Sequence, residues 1–431
     1  MKFSFNNIPL NNSAKHWLKL ISVTGSAQIV VQALGFVGGI LIIRLLPVEE
    51  YAWYVLANTM LGAMTVLADG GISQGVMSEG GKVWQDKQKL GVVLATGLDL
   101  RRKFAIVSLI IMVPVLLYFL IKNNASWLTS ILITLSLIPA FYASLSDTLL
   151  QIVPKLHQNI SALQKNQLKV SIGRLIFLFS TLFVFPLTYV VILANGISRM
   201  YGNIKLYKIA GADIELGQKP DLEVRGRIVN MVKRILPGAI YYAFNGQLII
   251  WLASVFSDTT SIAYLGALGR INMLLAIFTV MINMLIIPRF ARLESNKKLL
   301  LKRFFQIIIA VIIPLLVFLS MVYFFRNQIL WVLGESYKEL DFELVLNIIA
   351  GIFNLLAGTC FSLYASRGWV LKPLITISVN VSITIFGIVI FDISNLLGLL
   401  YLNITIALVA FLINANYCFF KIISLKTQEI R

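Results

Sequence analysis

Long apolar runs, separated by short segments that carry nearly all of the charge, constrain this chain more than any other feature. A helix that crosses a bilayer needs about 20 mostly apolar residues, at about 1.5 Å of rise each for a hydrocarbon core about 30 Å thick. Twelve segments meet that requirement, at about residues 22–46, 51–77, 104–121, 128–152, 168–185, 187–209, 235–256, 260–287, 304–325, 343–365, 373–391 and 396–420. Backbone polar groups in lipid must be satisfied within the segment, so each run reads as a helix. The predicted fold class is an all-α integral membrane protein of about 12 transmembrane helices.

The charges give an independent check. Only 13% of the residues are charged, against about a quarter in soluble domains. The net charge of +18 would suit nucleic acid if it were clustered on a soluble module, but it lies between apolar runs, so no nucleic-acid partner is expected. With the N-terminus inside, 31 of the 37 Lys and Arg residues fall in inner regions, as expected for short cytoplasmic loops. Missing or adding one helix would scramble that alternation. The reading is therefore a multi-pass protein of a bacterial cytoplasmic (inner) membrane, with both termini in the cytoplasm and no cleavable signal.

The longest inner connection divides the chain into an N-terminal six-helix lobe (1–210), a cytoplasmic linker (211–234) and a C-terminal six-helix lobe (235–431). Within the linker, Ile228, Val229 and Val232 alternate with Arg225, Arg227, Lys233 and Arg234, a pattern that suits a short helix on an anionic membrane surface or a solvated connection. Six helices per half make any internal repeat parallel. The outer loops are short, the longest spanning about 326–342, which leaves no room for a soluble catalytic domain. Trp53, Trp127, Tyr189, Trp331 and Trp369 lie near predicted helix ends, where an interfacial aromatic belt is expected.

Much familiar chemistry is missing. The two histidines, His16 and His157, and the two cysteines, Cys360 and Cys418, form no ligand cluster, so no metal site is predicted. No phosphate-binding glycine loop with its lysine occurs, so no nucleotide cofactor is expected. Neither an enzyme active site nor any other cofactor is expected. Both cysteines read as packing residues.

What remains is a set of ionisable and amide side chains inside the apolar runs, where a charge costs at least about 2.5–3.5 kcal/mol at mid-membrane and marks a pathway or an internal partner. The hairpin Gly35–Gly75 holds Arg44 near its outer turn and Asp69 in LADGGIS near its inner end. The glycines after Asp69 permit close helix contact or a local break. Arg270, in AYLGALGRINMLLAIF, sits one third to halfway through the eighth run, beside Gly266, Ala267 and Gly269. It is either a cavity-facing cation for an anionic substrate or a clamp paired with an acid such as Asp69 or Asp147. Arg44 is a candidate for substrate binding or, nearer the outer edge, can snorkel to water. Arg174 and Arg199 are candidates for substrate binding or for the interface, and Asn245 and Asn380 for hydrogen bonds to a sugar or to a neighbouring helix. Asp69 and Asp147 are candidates for ion coupling or for internal pairing. Pro114, Pro139, Pro237, Pro288 and Pro314 predict bends.

Three stretches together resemble the polysaccharide flippases of the multidrug, oligosaccharidyl-lipid and polysaccharide exporter superfamily. They are RLLPVEEYAWYVLA, with Ala52 where the family usually has glycine; LADGGISQGVM; and RILPGAIYYAFNG followed by IAYLGALGRINMLLAIFTVMINMLIIPRFARL. The resemblance implies two six-helix lobes around a central cavity and alternating access. It also implies a polyprenyl-diphosphate-linked oligosaccharide as substrate, moved across the membrane for O-antigen or capsule synthesis. Membrane lipids, a polysaccharide polymerase and chain-length machinery are the implied partners. A cation-coupled drug or small-molecule exporter of the same superfamily is the alternative, and a membrane polysaccharide polymerase is a third reading.

Overall fold

The computed structural model describes residues 12–294 and 296–425, with side chains described from Ile29 onward except those of Tyr242, Met284 and Pro373. Lys2 and residues 426–431, which bear on the placement of the two ends, lie outside what is described, as do the side chains of Lys15, His16 and Lys19. Among the described residues there is no strand, and the all-α fold class holds. The helices in the first part of the chain are α1 (Asn12–Leu45), α2 (Val48–Asp69), α3 (Ile72–Lys82), α4 (Lys87–Lys122), α5 (Trp127–Leu150), α6 (Ile152–Leu156), α7 (Ile160–Leu182), α8 (Thr188–Gly211) and α9 (Leu222–Asn245). They continue as α10 (Leu248–Phe256), α11 (Thr259–Asn272), α12 (Leu275–Met281), α13 (Ile287–Ala291), α14 (Lys297–Phe324), α15 (Arg326–Leu333), α16 (Asp341–Ala365), α17 (Pro373–Ile390) and α18 (Leu396–Ile423).

Seven described helices are long and apolar enough to cross a membrane, and an eighth crossing results if the bent pair α9 and α10 is one span. The other predicted crossings fall on α1, with its apolar stretch Ile29–Leu45, on α17, with Leu374–Ile390, and on the more polar α7 and α8. Lipid is the solvent their outer faces require. The most apolar window of α14 is only 17% buried within the protein, and Ile309, Ile313, Leu316 and Val317 are each more than half exposed. Contiguous apolar surface of that kind is not sustained in water.

The described residues group into two compact units, the first comprising 12–42, 60–115 and 131–240, the second 43–59, 116–130, 241–294 and 296–425. The first unit has a core built from α3, α4, α5, α8 and α9, in which Ile72, Val76, Leu90, Leu94, Leu149, Leu206, Ile228 and Val232 are nearly inaccessible. In the second unit, Cys360 and Cys418 are free thiols packed with Phe290, Leu300 and Leu363, as their apolar settings predict.

Several local readings change. The inner loop expected over 82–103 is mostly helix, because α4 starts at Lys87. The run over 51–77 breaks after Asp69, where Gly70 (φ 49°) and Gly71 (φ 99°) adopt left-handed backbone that other residues rarely reach. The run over 260–287 is interrupted after Asn272 and passes through a π-helical turn at Ile282–Ile286 before Pro288. In the linker, the pattern beginning at Arg225 is the start of α9, and its apolar face is covered by the core of the first unit rather than by a membrane surface. Trp53 is buried, with Nε1 donating to Asn123 O at 2.8 Å, whereas Trp127 and Trp331 are mostly exposed, as belt residues should be.

Candidate functional site

Two arginine centres, one in each unit, hold the intramembrane charge. The first forms where α2 ends. Asp69 Oδ1 accepts from the backbone N of Ser73 at 3.1 Å and from Ser73 Oγ at 2.5 Å, so it stabilises the exposed amides at the start of α3 as an anion does at a helix N-terminus. The same oxygen accepts from Arg101 Nη2. Arg101 is 2% exposed; its Nη1 donates to Leu145 O at 2.9 Å and to Thr148 Oγ1 at 2.5 Å, and Nη2 also reaches Ser73 Oγ at 3.2 Å.

Between Leu145 and Thr148 on α5, Asp147 accepts from Gln151 Nε2 at 2.9 Å and from Arg199 Nη2 at 3.4 Å. Arg101 also feels the charges of Asp147 and Arg199. The result is a closed set of two acids and two arginines, each with an opposite partner. The glycines that follow Asp69 are dictated by packing: a Cβ on Gly71 would stand 2.9 Å from Ile235 Cβ, and one on Gly75 would stand 2.9 Å from Ile228 Cγ2. Arg174, on α7, lays its guanidinium over Gly35 and Gly38 of α1, with Nη2 3.7 Å and 3.9 Å from the places their Cβ atoms would take.

Outside the spans, Glu79 ties α3 to α9. It accepts from Lys82 Nζ at 2.5 Å and Arg227 Nε at 2.6 Å. Burial raises its carboxyl, but the hydrogen bonds from Lys82 and Arg227 outweigh that and hold it below the ordinary carboxylate range.

The second centre is built on Arg270 near the end of α11. Among the described residues no carboxylate lies within 4 Å of it; Nη1 stands 3.8 Å from Met273 Sδ, and its charge faces the hydroxyls of Tyr51 and Tyr54. Tyr51 is fully buried and Tyr337 nearly so, and neither hydroxyl has a well-formed hydrogen bond. The rings are fixed by each other: Tyr51 stacks on Tyr54 with centroids 6.0 Å apart, and Tyr264 meets Tyr337 edge-on at 5.8 Å. Gly266 packs directly on Val55, while Gly269, next to Arg270, has nothing within 4 Å of where a Cβ would lie.

The remaining predicted residues are placed as follows. Arg44 caps a helix: Nε donates to Val332 O at 2.9 Å and Nη2 to Trp331 O at 2.6 Å, and the guanidinium lies 5.0 Å from the Trp331 ring. It meets the carbonyl end of α15, where a cation is favoured. Asn380 Nδ2 donates to Tyr241 Oη at 2.6 Å, and Tyr241 Oη donates to Asn245 Oδ1 at 3.5 Å, which links the two amides through one phenol. Asn380 Oδ1 is buried without a donor.

Sequence reasoning missed Arg101, which it assigned to a loop, and the tyrosines around Arg270. A signal for Arg101 exists, since Leu90, Val93, Leu94 and Leu100 recur at helical spacing ahead of the apolar run. Nothing local could have joined Tyr337 to Tyr51.

No family model and no curated protein matches the sequence. Solved structures do match, over nearly the whole chain. A multidrug resistance MATE family transporter of the MOP superfamily in its inward-facing conformation is 14% identical with a TM-score of 0.73, covering 93% of this chain and 96% of its own. The outward-facing conformation of such a transporter is 13% identical with a TM-score of 0.63, covering 94% and 96%. The lipid II flippase MurJ in an inward closed conformation is 15% identical with a TM-score of 0.67, covering 94% and 88%. The chain has the fold these transporters share.

Proposed function

We propose that this protein is a carrier, not an enzyme, that moves a polyprenyl-diphosphate-linked oligosaccharide across the cytoplasmic membrane for surface polysaccharide synthesis. The observation that carries the reading is Arg270, an arginine inside an apolar run with no carboxylate partner among the described residues and with buried tyrosine hydroxyls around it. A diphosphate crossing a low-dielectric interior needs such a cation, because its own charge is otherwise uncompensated. Arg101 cannot serve, since its guanidinium is taken by Asp69, Thr148 and Leu145. The fold shared with MurJ supports a lipid-linked cargo.

In this reading the halves 1–210 and 235–431 act as lobes about the linker 211–234, and alternating access works through the ties inside the second unit. Asn123 Nδ2 donates to Ser254 O at 3.2 Å, Trp251 Nε1 donates to Thr59 Oγ1 at 3.1 Å, and Lys122 Nζ bonds Val255 O. Those bonds hold the end of α4 and the middle of α2 to α10 and must break for the outer side to open. The sugar head passes with the diphosphate while the prenyl tail stays in lipid. A polymerase and chain-length machinery would receive the product.

Drug export is the second reading, favoured by the likeness to the multidrug transporter. A cationic drug needs a free carboxylate, and Asp69 and Asp147 are both occupied by arginines. Deleting the gene in its host separates the two. The flippase reading predicts lipid-linked oligosaccharide accumulating on the cytoplasmic face with unchanged drug susceptibility; increased drug susceptibility without accumulation would overturn it.

A further inference from the structure

Arg101 and Arg102 are consecutive on α4, about 100° apart around the helix, and they serve different surroundings. Arg101 is sealed in the charge network. Arg102 points outward and lines a groove of about 320 Å³ between α4, α5 and α8, a volume within the range of about 300–1,000 Å³ of ligand sites. Lys208 of α8 stands on the same groove, as do Tyr142, Tyr207, Ser146 and Asn203; the rest of the lining is aliphatic or methionine.

The groove is amphipathic in a way that matches one class of molecule. Arg102 and Lys208 are exposed, and neither has a carboxylate within 4 Å among the described residues, unlike Lys82, Lys89 and Lys103 in the same unit, which are paired with Glu79, Asp86 and Asp99. Tyr142 is 56% and Ile204 60% exposed, so the groove opens on the surface. Asn203 Nδ2 is spent on Ala143 O at 3.2 Å and Ser146 Oγ at 2.5 Å, which leaves Oδ1 buried without a donor. Two unneutralised cations beside tyrosines and aliphatic side chains suit a phosphate head on an acyl-chain body.

We propose that this groove binds an anionic phospholipid of the cytoplasmic leaflet, with Arg102 and Lys208 on the phosphate and the aliphatic wall against the upper acyl chains. The site lies on α4, α5 and α8 alone, and its occupation does not depend on what cargo the protein moves.

The test uses the purified full chain in detergent, titrated with phosphatidylglycerol or with phosphatidylcholine and read by native mass spectrometry. Wild type should retain phosphatidylglycerol at least tenfold better than phosphatidylcholine. R102Q/K208Q should lose that preference, R102K/K208R should keep it, and K82Q/K89Q, which removes two paired charges outside the groove, should also keep it. Equal phosphatidylglycerol retention by R102Q/K208Q and wild type would overturn the proposal. So would displacement of the lipid by soluble glycerol phosphate at equal concentration, which would assign the site to a free phosphate. Melting temperature checks that R102Q/K208Q is folded; because both residues are exposed it should match wild type, and R102K/K208R keeps the test decisive if it does not.

Discussion

The two arginine centres place the same side chain in apolar surroundings and treat it in opposite ways. Around Arg101 each charge has an opposite partner: Asp69 pairs with the guanidinium, which also donates to Thr148, and Asp147 is held by Arg199 and Gln151, leaving only Arg101 Nε buried without an acceptor. Around Arg270 there are phenols but no carboxylate among the described residues, and the hydroxyls of Tyr51 and Tyr337 make no well-formed hydrogen bond. Buried polar groups are normally satisfied, and one that is not usually marks strain or a site that something else completes. A closed network holds helices together, whereas an open one is available to a ligand. On the proposed function, the difference separates an arginine that serves the fold from one that serves transport.

The comparison can be broken by substitution. Arg101→Met leaves Asp69 charged and stripped of its main partner, so it should cost about 3–5 kcal/mol, at the lower end because Asp69 keeps some contact with solvent; thermal melting of the purified protein would show it. Adding Asp69→Leu removes the orphaned charge and should restore most of the loss, since an apolar pair of similar volume replaces a buried ion pair at little cost. Failure of the double variant to recover would mean that the bonds from Ser73 to Asp69 at the start of α3 outweigh the ion pair. At the other centre, Tyr51→Phe deletes a hydroxyl that makes no well-formed bond, so stability should stay within about 1 kcal/mol of wild type or rise, while transport falls.

Smaller effects sharpen the same contrast. Arg44→Ala removes a cation and two hydrogen bonds from the end of α15 and should cost about 1 kcal/mol without changing cargo affinity, measurable by melting alongside a transport assay. Glu79 gives the smallest effect. Its carboxyl is held below the ordinary carboxylate range, so the stability it adds is present above the unfolded-state value of 4.5 and is lost as pH falls through the lower folded value. Glu79→Gln should therefore lower the melting temperature slightly at neutral pH and leave it unchanged in strong acid.

How much of this was legible in the sequence follows from the range of the interactions. The helices were readable because lipid imposes a length and a composition on each one. Asp69 and its glycines were readable because LADGGIS contains its own break: the aspartate, the left-handed turn and the serine it bonds are neighbours. Arg101 was hidden because charge density suggested a loop, although α4 continues beneath it. For Arg44 the sequence offers substrate binding or snorkelling, whereas it finds the carbonyls of Trp331 and Val332, the former 287 residues away, which no local pattern announces. Arg270 stands out in the sequence, but the tyrosines that surround it come from a hairpin and from a segment far along the chain.

The central claim is that Arg270 is an open cation for an anionic cargo. The most direct measurement reconstitutes the full chain in proteoliposomes and follows movement of a fluorescent polyprenyl-diphosphate-linked oligosaccharide across the bilayer, for wild type, Arg270→Lys and Arg270→Ala. The account predicts that Arg270→Ala melts like wild type and moves the lipid at least tenfold more slowly, with Arg270→Lys intermediate. Transport by Arg270→Ala at the wild-type rate would contradict it.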